Sequence, residues 1–308
     1  MPKYILKRVL MGIVALFVVT VLTFFLMNLV PGGPFVAEKS ITPQAKAALD
    51  AKFGLDKPLL VQFKNYILHA IRGDFGPSIK QRGRDVIDII LTRFPISAKL
   101  GGVSVAVALV LGVPLGCVAA FKRGKWGDNL IRVIATLGIA VPGFVLSTLV
   151  LHFLGSPFPQ LLPIGAGGLT TFAQYILPVF SLAFYPMAYI ARLMRSTMLD
   201  TLGQDYIRTA IAKGVPRWKV LFKHAMRNAI LPIVTYVGPL MAFTITGSFV
   251  VETVFVIPGL GSQFVSSIIN RDYTMIMGTT IFLAAIMITF NVLVDVAYKL
   301  VDPRIQLN

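Results

Sequence analysis

The sequence predicts an all-α integral membrane protein: six transmembrane helices, with a small helical insertion after the first. Three observations carry this. Apolar residues make up 56% of the 308 residues and charged residues only 14%, against about 25% charged in soluble domains; mean hydropathy is +0.78. Six apolar stretches are each long enough to cross a bilayer core, which takes about 20 helical residues. Basic residues gather in alternate short connections, as they do in loops held on the cytoplasmic side.

The first span is 9–30, preceded by Lys3, Lys7 and Arg8. A cleaved signal peptide is the competing reading. The apolar stretch is too long for a signal core and no small-x-small cleavage site follows it, so the helix is read as retained, ending at Pro31-Gly32-Gly33-Pro34. Residues 31–97 hold ten basic residues, yet a loop this long translocates largely regardless of charge. Within it, 43–54 reads as a helix capped by Thr42 with Pro43 in its first turn. Apolar residues recur at helical spacing over 59–71, ending at Gly73, and again over 85–94. This segment is expected to form an extracytoplasmic helical cap.

The remaining spans are 98–121, 130–154, 176–194, 229–254 and 275–301. Pro142-Gly143 should kink the third span, and Pro232 sits near the start of the fifth, where it is cheap. Loop 122–129 carries Lys122, Arg123 and Lys125. Loop 195–228 carries Arg195, Arg208, Lys213, Arg217, Lys219, Lys223 and Arg227. Loop 155–175 has no Lys or Arg, and 255–274 only Arg271. Both termini are therefore expected in the cytoplasm. The domain reading is helix 1–30, insertion 31–97, a five-helix core 98–302 that includes the cytoplasmic loop 195–228, and a tail 303–308.

Several function classes are excluded or weakened. The net charge of +16 does not point to nucleic acid, because the basic residues sit in short segments between apolar runs. Cys117, the single cysteine, allows no intrachain disulfide or thiolate metal site and reads as a packing residue. His69, His152 and His224 fall in three different compartments, so no metal site or catalytic set is predicted. Lys99 and Arg192 lie near predicted helix ends, where they snorkel. Asp295 can pair with Lys299 one turn on, and Glu252 lies near the outer end of the fifth span. Acids at the bilayer midplane, internal repeats and interrupted spans are not evident, which argues against an ion-coupled carrier or a channel. A membrane-embedded enzyme would need a convergent reactive set that is missing.

The informative segment is 204–227. Ile207, Ala210 and Ile211 give 204–213 a helical apolar face; Gly214 can close that helix in a left-handed conformation, and Pro216 can start another. In the second helix Trp218, Leu221, Phe222 and Ala225 make an apolar stripe among Arg217, Lys219, Lys223 and Arg227. Such a stripe suits a partner's groove or, equally on these residues alone, an anionic membrane surface.

Arg208-Thr209-Ala210, three residues, Gly214, and then Ala229-Ile230-Leu231-Pro232 resemble the cytoplasmic motif of permease subunits in ATP-binding-cassette importers. Arg208 stands where the general motif has glutamate, and the gap to Leu-Pro is longer. Both departures are similar to the dipeptide and oligopeptide branch. So are Pro31-Gly32-Gly33-Pro34, Phe53-Gly54-Leu55-Asp56-Lys57-Pro58, Gly73-Asp74-Phe75-Gly76, Leu162-Pro163-Ile164-Gly165, Glu252-Thr253-Val254-Phe255 with Pro258-Gly259-Leu260-Gly261, Asn270-Arg271-Asp272-Tyr273 and Asp302-Pro303-Arg304.

The resemblance spans the chain in order. It implies the type I importer permease fold in a prokaryotic inner (plasma) membrane, with a second homologous permease, two ATPase subunits, an extracytoplasmic substrate-binding protein and membrane lipid as partners. The chain has no Gly-x-x-x-x-Gly-Lys-Ser/Thr loop, so ATP and Mg are expected on the ATPase subunits and no cofactor on this chain. Arg208, Thr209, Ala210, Lys213, Gly214, Arg217, Trp218 and Phe222 are the residues expected to couple to the ATPases. Thr244, Thr246, Ser248, Thr289 and Asn291 are candidate pore-lining residues, although small polar residues in membrane helices more often bond between helices. Glu252, Arg271 and Asp272 are candidates for an outer gate or a binding-protein contact. Peptides are the expected cargo, with nickel chelates or glutathione as alternatives.

Overall fold

The computed structural model describes residues 2–31, 33–35, 42–161 and 169–301. Gly32, the motif at 162–165 and the motif at 302–304 lie outside them, as do the side chains of Lys3, Arg217, Asp295 and Lys299.

Helix α1 (Pro2–Leu29) is long and apolar enough to span a membrane. The insertion follows with α2 (Pro43–Phe53) and α3 (Leu59–Ala70). Thr42 caps α2 by accepting from the Ala45 amide, and Gly54 ends it at φ +66°. Helix α4 (Val86–Phe121) then runs for 36 residues without interruption, about 54 Å at 1.5 Å per residue.

The sequence reading divides α4 into an insertion helix and a span starting at 98; the structure joins them. Pro95 removes one backbone bond inside the helix. The turns before it are held by packing, with Val86, Ile89 and Ile90 fully buried against Phe75, Leu260 and Met275. Lys99 is therefore in the middle of a continuous helix, its ammonium 5.1 Å from the Tyr175 ring centroid.

The third span is broken. Helix α5 (Trp126–Ala140) and α6 (Gly143–Val150), which continues into the π-helical turn Leu151–Gly155, meet at 105°. Val141 leaves the helical region (ψ 121°) ahead of Pro142, as steric conflict with a following proline ring favours. The expected kink is present, and large enough to count as an interruption.

Helix α7 (Phe172–Leu202) passes through Pro178 and Pro186 and continues two turns beyond the predicted end at 194. Its guanidinium-bearing Arg192 is thus ten residues from the helix end, with Cζ 5.9 Å from the Tyr189 ring centroid. The short elements α8 (Asp205–Ala212), α9 (Arg217–Lys219), a π turn (Val220–Ala225) and α10 (Met226–Ala229) follow. Helix α11 (Leu231–Ile245) and α12 (Phe249–Val254) form the fifth apolar stretch, interrupted where Gly247 adopts φ +109°. The sequence predicts a kink at the first of these breaks, at Pro142-Gly143, and gives no signal of the second, at Gly247. The last elements are α13 (Leu260–Ile269) and α14 (Tyr273–Val301).

Among the described residues five helices meet span length and apolarity, and six spans result when the bent α5–α6 pair, which meets them together, is taken as one. The core is centred on α4 against α7, where Gly112 and Gly116 bring the helices together. A Cβ on Gly116 would lie 2.5 Å from the Met194 Cβ and 2.6 Å from the Ala191 carbonyl, so a small residue is required at this crossing. Helix α1 stands at the edge against α14, with Leu6, Leu10, Phe17, Leu22 and Leu26 exposed. Successive spans alternate in direction. The insertion and the starts of α4, α7 and α14 therefore share one end, the insertion end. Helices α8–α10 lie at the other, the loop end.

Candidate functional site

At the loop end, residues 205–229 fold back onto the core. Ile207 and Ala210 of α8, with Val220, Leu221 and Ala225 of the π turn, are buried against Met194 and Met198 of α7. Gly214 takes φ +75°. The amides of Gly214 and Val215 donate to the carbonyls of Ile211 (2.9 Å) and Ala210 (3.2 Å), closing α8 as a left-handed glycine does. A Cβ at Gly214 would meet open space, so the constraint there is conformational. The Pro216 carbonyl accepts from Lys219 and Val220 and begins the second helix.

The predicted stripe does not survive as one face. The π turn admits an extra residue per turn. Leu221 and Ala225 turn inward, while Trp218 and Phe222 remain 62% and 63% exposed. Ile211 is exposed with them, whereas Ile207 and Ala210 are buried. Arg208, Thr209 and Lys213 are exposed on α8 and at its C-cap. The Thr209 hydroxyl donates to the Asp205 carbonyl, and Arg208 stands 3.5 Å from the Asp205 carboxylate. The loop is anchored by Thr197, whose hydroxyl donates to the Ala229 carbonyl (2.8 Å), and by Asn228, which donates to the Tyr206 hydroxyl (2.7 Å).

Beside the loop lies a feature the sequence reading missed. Asp128 is 1% exposed and takes a bidentate ion pair from Arg195, Nε to Oδ1 at 2.6 Å and Nη2 to Oδ2 at 2.9 Å. The Gly124 amide donates to Oδ2 at 3.0 Å, and the exposed Arg132 stands 3.7 Å away. The pair ties the first turn of α5 to the last turns of α7. The reading placed Arg195 in a loop, and Asp128 is 67 residues away in sequence, so spacing gave no signal.

At the insertion end, the gate candidates are structural hubs. Asp272 is buried. Its carboxylate accepts from the Ser78 hydroxyl, the amides of Ile79 (3.1 Å) and Lys80 (3.4 Å), the Thr274 hydroxyl (3.1 Å) and the Met275 amide (3.3 Å). It both caps α14 and fastens the insertion. Arg271, at φ +56°, donates to the Pro31 carbonyl at the exit of α1 (2.9 Å). Glu252 is fully buried on α12. Its Oε2 accepts from the Ser262 amide (2.9 Å), while Oε1 has no hydrogen-bond partner among the described residues. Gly247, Gly259 and Gly261 leave room for this carboxylate, and Ser97 of α4 accepts from the Leu260 amide. The hairpin α12–α13 is thus stapled to itself and to α4.

The candidate pore-lining residues divide. Thr244 and Thr246 are buried, with hydroxyls donating to the Leu240 and Phe243 carbonyls, and Ser248 caps α12. Thr289 and Asn291 are exposed on α14, Thr289 donating to Ala285. The two groups are not brought onto one surface.

Residues 112–307 match the family of binding-protein-dependent transport system inner membrane components, and residues 1–101 match the N-terminal component of the same systems. The chain belongs to this permease family. The Bacillus subtilis dipeptide transport system permease protein is 44% identical over 308 residues, covering 100% of this chain and 99% of that protein. The Haemophilus influenzae oligopeptide transport system permease protein is 41% identical, covering 99% and 100%. The Lactococcus lactis dipeptide transport system permease protein is 41% identical over the full length of both. The permease is thus a multi-pass inner-membrane protein with the type I importer permease fold, and its function is that of a transport subunit.

Proposed function

We propose that this permease subunit moves di- or oligopeptides across the membrane, driven by ATP hydrolysis on separate subunits docked at its loop end. The observation that carries the reading is the pair Trp218 and Phe222, exposed on a helix–turn–helix whose other face is locked into the core. Large aromatics on a rigid scaffold are effective anchors for a partner's groove, and Arg208 and Lys213 add positive charge beside them.

The loop end then faces the cytoplasm with both termini, and the insertion end faces the binding protein. A second homologous permease completes the pore, and ATP with Mg is held by two ATPase subunits. Peptide cargo rests on the relatives, which are named for dipeptide and oligopeptide transport.

The test is to purify the tagged chain from native membranes, identify co-purifying subunits by mass, and measure uptake of labelled dipeptide, glutathione and a nickel chelate. A second permease, ATPases and peptide uptake are expected. Isolation of the chain alone would overturn the coupling reading; uptake of only one of the other cargoes would overturn the peptide reading.

A further inference from the structure

Helix α3 carries two unlike flanks. At about 100° per residue, Phe63, Tyr66 and Ala70 share its inner, half-buried face. Gln62, Asn65 and His69 fall on one side and line a cavity of about 620 Å³, together with Asn28, Asp74 and Asp85. Leu60, Leu68 and Ile71 fall on the other, with Lys64 among them, and are strongly exposed: Leu60 is 73% and Ile71 78% accessible. Tyr66 stands at the boundary with the cavity, its buried hydroxyl without a hydrogen-bond partner among the described residues. Burial, helped by the Asp74 carboxylate, raises its pKa above the ordinary phenol range. A helix standing in water has no reason to expose one flank of leucine and isoleucine and turn its polar flank toward a cavity.

Depth supplies the independent argument. Phe63 on α3 packs among Phe17, Phe24 and Phe25 of α1, with ring centroids 6.4, 5.2 and 5.9 Å apart. Phe17, Phe24 and Phe25 lie twelve, five and four residues before the end of α1 at Leu29, about 18, 8 and 6 Å along the helix axis at 1.5 Å per residue. The Phe63 side chain is thus held below the end of a membrane span, against its last two to three turns. Leu22, Leu26 and Leu29 of α1 are themselves exposed, as a span facing lipid requires.

We propose that α3 is an amphipathic helix seated in the bilayer leaflet at the insertion end, its Leu60–Leu68–Ile71 flank on acyl chains and its polar flank on the cavity. The ammonium of Lys64 reaches up to headgroup phosphates along its apolar stem. The sequence places this helix in an extracytoplasmic helical cap. The seat instead makes the insertion a lipid-anchored collar beside α1, independent of which cargo the permease carries.

The test uses the full chain, with whatever subunits accompany it, in vesicles of phosphatidylethanolamine and phosphatidylglycerol. Cys117→Ala, removing the single cysteine, provides the background for a spin label placed by Leu60→Cys, Leu68→Cys, Asn65→Cys or, as the lipid-facing reference, Leu22→Cys. Collision with oxygen, which partitions into acyl chains, is compared with collision with a water-soluble nickel chelate. Positions 60 and 68 are expected to match 22, with oxygen favoured several-fold over the ratio at 65. Nickel accessibility at 60 and 68 equal to that at 65 would return α3 to water. Exclusion of both reagents would make the flank a protein interface. Either result overturns the proposal.

Discussion

The two ends of the molecule are built on different principles. At the insertion end, buried carboxylates hold backbone: Asp272 fastens Ile79, Lys80 and Met275, and Glu252 fastens Ser262. At the loop end, apolar burial of Ile207, Val220, Leu221 and Ala225 holds the segment 205–229 itself, while the buried Asp128 braces the neighbouring helices α5 and α7 through Arg195, and Trp218 and Phe222 are left facing outward. A carboxylate that satisfies several buried donors fixes a loop in one geometry, because each donor stranded without it costs free energy. Apolar packing tolerates small rigid-body shifts of a helix pair while keeping it folded. The contrast suits an end that stays shaped and, on the proposed function, an end that transmits movement from a partner.

The largest effect is expected at the ion pair that braces the loop end. Asp128→Ala leaves Arg195 unpaired at 21% exposure, and breaking a pair of this kind costs about 3–5 kcal/mol. Thermal unfolding in detergent should show this loss. Asp128→Ala with Arg195→Met should regain much of it, because both charges leave together. If the double variant is no more stable than the single one, the pair is not what braces α5 against α7.

The next largest effect belongs to the insertion end. Asp272→Ala removes the acceptor for Ser78, Ile79, Lys80, Thr274 and Met275. A loss of about 3 kcal/mol is expected, the scale of one charge-assisted bond plus stranded donors. Asp272→Asn keeps an acceptor oxygen and should cost about half as much. Proteolysis of the insertion should accelerate in Asp272→Ala before the bundle unfolds. Equal effects of both variants would mean the site responds to volume rather than to acceptor count.

This contrast between the ends was only partly legible in the sequence. Hydropathy located the six apolar stretches, because burial in lipid writes itself into composition. Gly214, Pro216 and Thr42 announced their turns and caps through local backbone chemistry, and each does in the structure what it was expected to do. Most of the misses depend on partners distant in the chain. Pro95 reads as a helix boundary, but tertiary packing of Val86, Ile89 and Ile90 carries α4 through it. Asp272 is singled out as a gate or binding-protein contact, but its role in fastening the insertion was not legible, because its partner Ser78 lies 194 residues away. The π turn at 220–225, which divides the predicted stripe, has no local signature that periodicity could detect.

The smallest effect on stability should accompany the largest effect on assembly, and adjacent residues on one turn separate the two. Trp218→Ala and Phe222→Ala remove side chains that are mostly exposed, so unfolding should shift by less than about 1 kcal/mol. If they anchor a partner, affinity for the co-purifying ATPase should fall by about 2 kcal/mol each, roughly thirtyfold. Leu221→Ala removes a buried side chain next to Phe222 and should cost about 2–3 kcal/mol of stability. Loss of the partner would then track loss of the fold. A partner that dissociates from Leu221→Ala but not from Trp218→Ala or Phe222→Ala would place the docking surface elsewhere. The exposed aromatics would then be membrane-surface contacts, the alternative that the positive charge of Lys219 and Lys223 on the same turn leaves available.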